Sequence, residues 1–197
     1  MLRAEIETEI AELAARHGAP RRVAAELSGA PFDPLAMPDR YGEVCMVIRR
    51  PSGKLITAIK TFYPPGAFRL LTGGVHHGER IGDALLREVA EETGLTVAVR
   101  QFLAVIEYQL AGYPGQFATF AFLLDELGGT LAAQDASEQI GAFRDLAVAE
   151  LTDLAALLEQ APDRHDPQIA GSWRDWGRFR AVVHRVVHEA LGEIADL

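Results

Sequence analysis

The chain has a single cysteine, no long apolar run and a deficit of positive charge, and each shortage closes off a class of protein. Cys45 has no second cysteine with which to form an internal disulfide, so a reducing, cytoplasmic setting is expected. It sits within Val44-Cys-Met-Val-Ile48 and reads as a buried core thiol, not a nucleophile. No apolar stretch approaches the ~20 residues that span a bilayer. The opening Met1-Leu-Arg-Ala-Glu-Ile-Glu-Thr-Glu is acidic and amphipathic, without the basic start and apolar run of a secretion signal. Lys and Arg number 19 against 28 Asp and Glu, a formal net charge of −9. Such a chain repels a long polyanion, which argues against a nucleic-acid polymer as partner. It does not exclude a small phosphate ester, because a divalent cation can bridge phosphate to carboxylates.

What is present is ordinary globular usage, 49% hydrophobic and 24% charged, in a length that favours one buried core. There is no internal repeat and no low-complexity tract. Three zones follow one another: a helical extension and connector over 1–40, a central domain over 41–160 and a second helical extension over 161–197. Leu2, Ile6, Ile10, Leu13 and Ala14 recur at helical spacing, with Gly18 as a stop. A second short helix is expected over Arg21–Leu27. Pro31, Pro34 and Pro38 then mark a connector. From Tyr41 strands take over. Glu43–Arg50 and Leu55–Phe62 read as a hairpin about Pro51-Ser-Gly-Lys54, and Phe68–Leu71 as a short strand. A helix is predicted from Ile81 to Thr93, stopped by a left-handed Gly94. Strands over Leu95–Leu110, Gln116–Asp125 and Phe143–Val148 follow, with Gly112-Tyr-Pro-Gly115 as a turn. Helices come next over Glu150–Leu158 and Ser172–Leu191, the latter with the apolar stripe Phe179, Val182, Val183, Val186, Val187 and Leu191. A mixed sheet covered by helices on both sides is the expected architecture.

One segment carries the chemistry, Gly73–Leu95, GGVHHGERIGDALLREVAEETGL. At about 100° per residue, Glu88, Glu91 and Glu92 share a sector of roughly 100° on one helical face. Leu85, Leu86 and Val89 point to the adjacent side. Carboxylates crowded this way repel one another unless cations sit among them. Hard divalent ions such as Mg²⁺ or Mn²⁺ suit these oxygen ligands and leave positions open for phosphate and water. Arg87 precedes Glu91 by four residues and can steady the cluster. Gly73 and Gly74 permit a tight backbone approach, offering carbonyls to metal and amides to phosphate.

The spacing of Gly73, Glu79, Arg87, Glu88, Glu91, Glu92 and Gly94, with apolar Val89 and Leu95, resembles the Nudix box at every defining position. Seven such identities arise by chance on the order of once in a hundred million start points. The resemblance extends over Tyr41–Leu158 and implies an α/β fold, the Nudix-type α/β/α sandwich with a mixed β-sheet, here with N- and C-terminal helical extensions. It implies a hydrolase of diphosphate linkages, a nucleotide pyrophosphohydrolase, using Mg²⁺ or Mn²⁺. Glu88, Glu91 and Glu92 are then the metal-binding carboxylates, and Glu79 braces the loop through Arg87 or contributes to a metal site. A later loop glutamate, Glu138, fits the position of a further base or ligand. The lead-in Phe68-Arg-Leu-Leu-Thr-Gly-Gly-Val75 departs from the family's Trp-x-Leu-Pro-Gly-Gly. Leu71 replaces the proline and Thr72 the first glycine, although the Thr72 carbonyl can still reach a metal. Arg69 is the first candidate substrate contact, alongside Gly73 and Gly74. His76 replaces a frequent glutamate and, with His77, reads as an exposed loop residue.

Other clusters favour structural readings. His184 and His188 have zinc-compatible spacing but lack a third ligand and the glutamate of a zinc protease. Trp173, Trp176 and Phe179 read as aromatics docking the last helix, with Arg174, Arg178 and Arg180 reaching outward. The competing function is a Nudix-fold module that senses a nucleotide without turnover; an intact glutamate set weighs against it. The expected partner is a small nucleotide-type diphosphate, with no membrane. A homodimer interface and a pocket-shaping role remain alternatives for the two flanks.

Overall fold

A computed structural model describes residues 2–35, 37–111 and 113–194, with backbone alone for 113–116. Helix α1 (Ala4–His17) leads into strand β1 (Arg21–Leu27), then β2 (Arg40–Arg49), β3 (Leu55–Lys60) and β4 (Arg69–His76). Helix α2 (Ile81–Thr93) precedes the long strands β5 (Leu95–Leu110) and β6 (Tyr113–Gly129). A 3₁₀ turn (Ala136–Glu138), β7 (Ile140–Leu146), α3 (Leu151–Glu159), a small ribbon of β8 (His165–Asp166) and β9 (Gly171–Ser172), and α4 (Trp173–Gly192) complete the order. The sheet runs β1-β5-β6-β2-β4-β3-β7, mixed, with β1–β5 and β2–β6 parallel. Among the described residues no helix is long and apolar enough to cross a membrane.

Two apolar layers sandwich this sheet, and the alternation along β2 sorts them. Val44, Met46 and Ile48 pack with α1 and α2, whereas Cys45 and Val47 pack with α3 and α4. The amphipathic stripes do the rest. Leu2, Ile6, Ile10 and Leu13 are buried under α1, and Phe179, Val183, Val186, Val187 and Leu191 under α4. Each such side chain contributes about 1.5–3 kcal/mol on full burial, so the two flanks are integral to the core. Cys45 is fully buried, as its surroundings predict, and burial pushes its thiol pKa up.

Two expectations change. Arg21–Leu27 is a strand, not a helix: its exposure alternates with period two, and it pairs in parallel with Ala104–Leu110 of β5. Val-Ala-Ala-Glu-Leu is tolerable in either state, and the open edge of β5 supplies a hydrogen-bond ladder that a seven-residue helix cannot match. The expected β2–β3 hairpin closes only at Arg49 and Leu55, because β4 inserts between the two strands. Of the turn expected over Gly112–Gly115, Gly112 and the side chains of Tyr113 and Pro114 lie outside the described residues, whereas the backbone of 113–115 is already strand, so β6 begins three residues before the predicted Gln116, paired with β5 at Leu110. The strand before α3 begins three residues earlier than predicted, at Ile140, where β3 offers a partner as far as Lys60.

Candidate functional site

The site is built where α2 lies across β4. Helix α2 ends as its sequence dictates: Gly94 takes the left-handed conformation, φ 64°, and its amide donates to the Ala90 carbonyl. Ahead of the helix the loop is fastened by charge. The His76 amide donates to Glu79 Oε2 at 3.1 Å, and Arg87 donates Nε to Glu79 Oε1 at 2.8 Å and Nη2 to the Gly74 carbonyl at 2.9 Å. The same guanidinium reaches Glu88 Oε1 at 2.8 Å and Glu91 Oε2 at 3.0 Å. One arginine therefore fixes β4, the loop and two helix carboxylates together. Gly73 is required by this approach, since a Cβ there would fall on the Glu88 carboxyl carbon.

Glu138 arrives from the 3₁₀ turn, which Asp135 caps by accepting the Ser137 amide. Its carboxylate oxygen, with one each from Glu88 and Glu91, forms a trio lying within 4.8 Å of one another. Cations hold the cluster together: Arg87 serves Glu88 and Glu91, and Lys60 Nζ donates to Glu138 Oε2 at 3.0 Å. Glu92 is not one of the three. It is 1% exposed, and neither carboxylate oxygen has a hydrogen-bond partner. Burial pushes its pKa up to about 8, against the opposing pull of Arg69 and Lys60. Burial also raises Glu88, and this outweighs its bond to Arg87. Glu79 goes the other way: burial would raise it, but the bonds from Arg87 and the His76 amide hold it below the ordinary carboxylate range.

These observations bear on a cation. Three converging carboxylates, and a fourth whose buried oxygens are unsatisfied, are oxygen donors of the kind that hold hard divalent ions. The residues fit such an ion. Above them opens a cleft of about 540 Å³ lined by Lys60, Thr72, Gly73, Gly74, Glu88 and Glu138, among others. A wider groove of about 780 Å³ runs between α1 and α2, where Arg80 already pairs with Glu9 and Glu12.

The remaining candidates separate clearly. Thr72 is buried on β4, and Arg69 is buried with Nε on the Tyr63 hydroxyl at 3.0 Å and Nη1 on the Leu70 carbonyl. His76 and His77 are exposed, as expected. His184 is buried and serves packing, its Nε2 accepting the Leu70 amide at 3.0 Å while Nδ1 lies 2.7 Å from the Arg180 carbonyl. The aromatics Trp173, Trp176 and Phe179 are buried, consistent with docking. The outward reading of the arginines holds for Arg178 but fails for Arg180. Arg180 is 5% exposed and donates Nη1 to both oxygens of buried Glu43 at 2.8 Å. The physical reason is Glu43 itself, a carboxylate on the α4 face of the sheet that demands a cation. An acid inside the otherwise apolar run Tyr41–Ile48 was the available signal.

The model of the NUDIX domain matches residues 40–170. An ADP-ribose pyrophosphatase of Methanocaldococcus jannaschii is 36% identical over 78 residues, 40% of this chain and 46% of that protein. The human NAD-capped RNA hydrolase NUDT12 is 40% identical over 62 residues, 31% of this chain and 13% of that protein. The chain thus spans less than half the length of these curated relatives. A crystal structure of UDP-X diphosphatase superposes with a TM-score of 0.48 at 19% identity, covering 79% of this chain and 66% of that one. The family match takes in α2, the 3₁₀ turn and every carboxylate gathered around them, and the chain belongs to the NUDIX domain family.

Proposed function

We propose that the chain is a divalent-metal-dependent hydrolase that cleaves the phosphoric anhydride bond of a nucleotide-type diphosphate. The observation that carries this reading is the convergence of Glu88, Glu91 and Glu138 beside the unpartnered carboxylate of Glu92. The family match and the pyrophosphatase activity named for the archaeal relative support the same reaction class.

Glu88, Glu91, Glu92 and Glu138 would hold the ion, with the Thr72 carbonyl and Glu79 as further oxygen donors. Mg²⁺ or Mn²⁺ bound there supplies charge neutralisation for the diphosphate and acidifies water. The chain's own groups do the remaining work. Arg87 keeps Glu88 and Glu91 aimed at the cleft while anchored on Gly74. Gly73 and Gly74 present bare backbone, along which a phosphate can approach closely. Lys60, released from Glu138, offers a cation to a phosphate oxygen, and the freed Glu138 accepts the proton of the attacking water. Water attacks phosphorus, the bridging P–O bond breaks, and its electron pair leaves with the departing phosphate. Arg69, behind Glu92, keeps positive charge close to the developing anion. Positioning and electrostatics account for the acceleration.

A non-catalytic sensor has no use for four crowded carboxylates, one of them buried without a partner. The test is product release from a panel of diphosphates with Mg²⁺, with Mn²⁺ and with chelator. Metal-dependent turnover that disappears in Glu88→Gln is expected. Tight, metal-independent binding without any turnover would replace this reading with the sensor.

A further inference from the structure

Beside the carboxylate cleft lies a second cavity, of about 100 Å³, whose charged lining is Asp33, Arg40, Glu43, Lys60, Arg69 and Arg180. It shares a wall with the cleft, since Asp33, Arg40, Lys60, Thr72, Gly73 and Gly74 border both. This common wall leaves the cavity within reach of an ester group on a diphosphate lying over the carboxylates. What that group can be follows from how the lining is already spent.

Every cation there has a carboxylate opposite it. Arg180 serves Glu43, Arg40 bonds Asp39 at 3.1 and 3.2 Å, Lys60 bonds Glu138, and Arg69 lies within Coulombic reach of both Glu92 and Glu43. Lys60 is the cation that a diphosphate over the carboxylates would draw off; deeper in the cavity a further phosphate would meet arginines already paired with carboxylates, and Asp33 as repulsion. A flat base would meet rings already packed edge-on against one another: half-buried Phe62 and Tyr63 lie with centroids 5.0 Å apart. Trp176 is 1% exposed and is packed edge-on against Tyr63 and Trp173, with ring centroids at 4.7 and 5.2 Å. Hydrogen-bonding capacity is what remains. The Nε of Arg180 is a buried donor without a partner, and the Asp33 carboxyl lines the cavity as an acceptor. Thr119 and Arg180 hold the Glu43 carboxylate in place at 2.9 and 2.8 Å.

We infer that this cavity, with Arg180 of α4 and Glu43 of β2 as its floor, recognises a neutral, hydroxyl-rich group carried on the diphosphate, and so selects a sugar ester over a further phosphate. Hydroxyls both donate and accept, which matches alternating guanidinium and carboxylate groups. The inference rests on the hydrolase reading for its chemistry, but Arg180 acts in recognition, not in bond cleavage.

Arg180→Lys tests it, because lysine keeps a charge opposite Glu43 while deleting the Nε donor and the planar fork. Steady-state kinetics with Mg²⁺ compare ADP-ribose and ADP-glucose with ATP, which share the adenosine but not the sugar ester. The variant should raise KM for the two ADP-sugars by roughly tenfold, with kcat within about threefold and the KM for ATP unchanged. Should the lysine variant unfold, the double variant Arg180→Met with Glu43→Gln replaces the pair by neutral groups and makes the same comparison. Equal losses on all three substrates, unchanged KM values, or a wild-type preference for ATP would overturn the inference. Calorimetric binding of ADP-ribose in chelator separates the two readings. Binding that falls in Arg180→Lys while wild type releases no product sinks the hydrolase and keeps the cavity. Turnover of all three substrates indifferent to Arg180 does the reverse.

Discussion

Acidification should loosen the attachment of α4 to β4 through one side chain. His184 is 1% exposed, accepts the Leu70 amide on Nε2 and turns Nδ1 to the Arg180 carbonyl, so the neutral ring satisfies both neighbours. A proton on Nε2 would destroy the acceptor and place a charge in an apolar layer that already holds the cations of Arg180 and Arg69. Burial, and then those two arginines, push the His184 pKa down from 6.5 to about 4, although the bond to the Arg180 carbonyl pulls the other way. A depressed folded-state pKa contributes stability that is complete above about 6.5 and is lost as pH falls through about 4. At 1.36 kcal/mol per pH unit the difference is about 3 kcal/mol, a large share of the 5–15 kcal/mol typical of a domain. The assay is urea denaturation in chelator at closely spaced pH values between 7 and 4, for the parent chain and His184→Gln. The glutamine starts less stable but has nothing to titrate, so its stability should fall less steeply over that window. Carboxylates common to both chains cancel in the difference. Parallel curves would refute the reasoning, because they would mean that the buried imidazole takes up its proton without penalty.

Glu92→Gln should lower turnover by orders of magnitude and weaken metal-dependent thermal stabilisation, while keeping the fold, since an amide occupies the same space but holds metal poorly. In chelator the parent should lose stability as pH rises from the ordinary carboxyl range through about 8, because a raised folded-state pKa gives stability present only below it. The glutamine variant should lack that slope in chemical denaturation. Gly73→Ala should displace Glu88 at a stability cost of about 1–3 kcal/mol and raise the metal concentration needed for half-maximal rate, as metal titration of activity would show. Arg87→Lys should leave the helix folded by circular dichroism yet lower kcat, because one ammonium cannot hold Gly74, Glu79, Glu88 and Glu91 together.

The readability of the sequence tracked how local each determinant is. Helix α2 could be bounded to the residue because its apolar period, its carboxylate face and Gly94 all act within one segment. The same compactness made Glu88, Glu91 and Arg87 legible as a unit. Glu138 was recognisable as a candidate, yet its convergence with Glu88 and Glu91 depends on β7 carrying the 3₁₀ turn back beside α2, which spacing alone does not encode. Residues Arg21–Leu27 went astray for the opposite reason, since their state is decided by the edge of β5, some eighty residues away in the register Arg21↔Ala104. Arg180 looked like one more solvent-facing arginine because its partner, Glu43, lies 137 positions earlier. Buried ion pairs of that separation leave only a faint trace, an acid interrupting an apolar strand.

The pairing of Lys60 with Glu138 gives the site a built-in chemical reporter. Lys54 and Lys60 are the chain's two lysines. Lys54 stands exposed on the turn after β2, whereas the Lys60 amine is committed to its carboxylate. An amine-directed acylating reagent therefore modifies Lys54 freely and supplies a reference rate on the same molecule. The slower labelling of Lys60, followed by peptide mass, then tracks how often the Glu138 contact opens, and any occupant of the cleft that draws Glu138 away will register as a change in that single ratio.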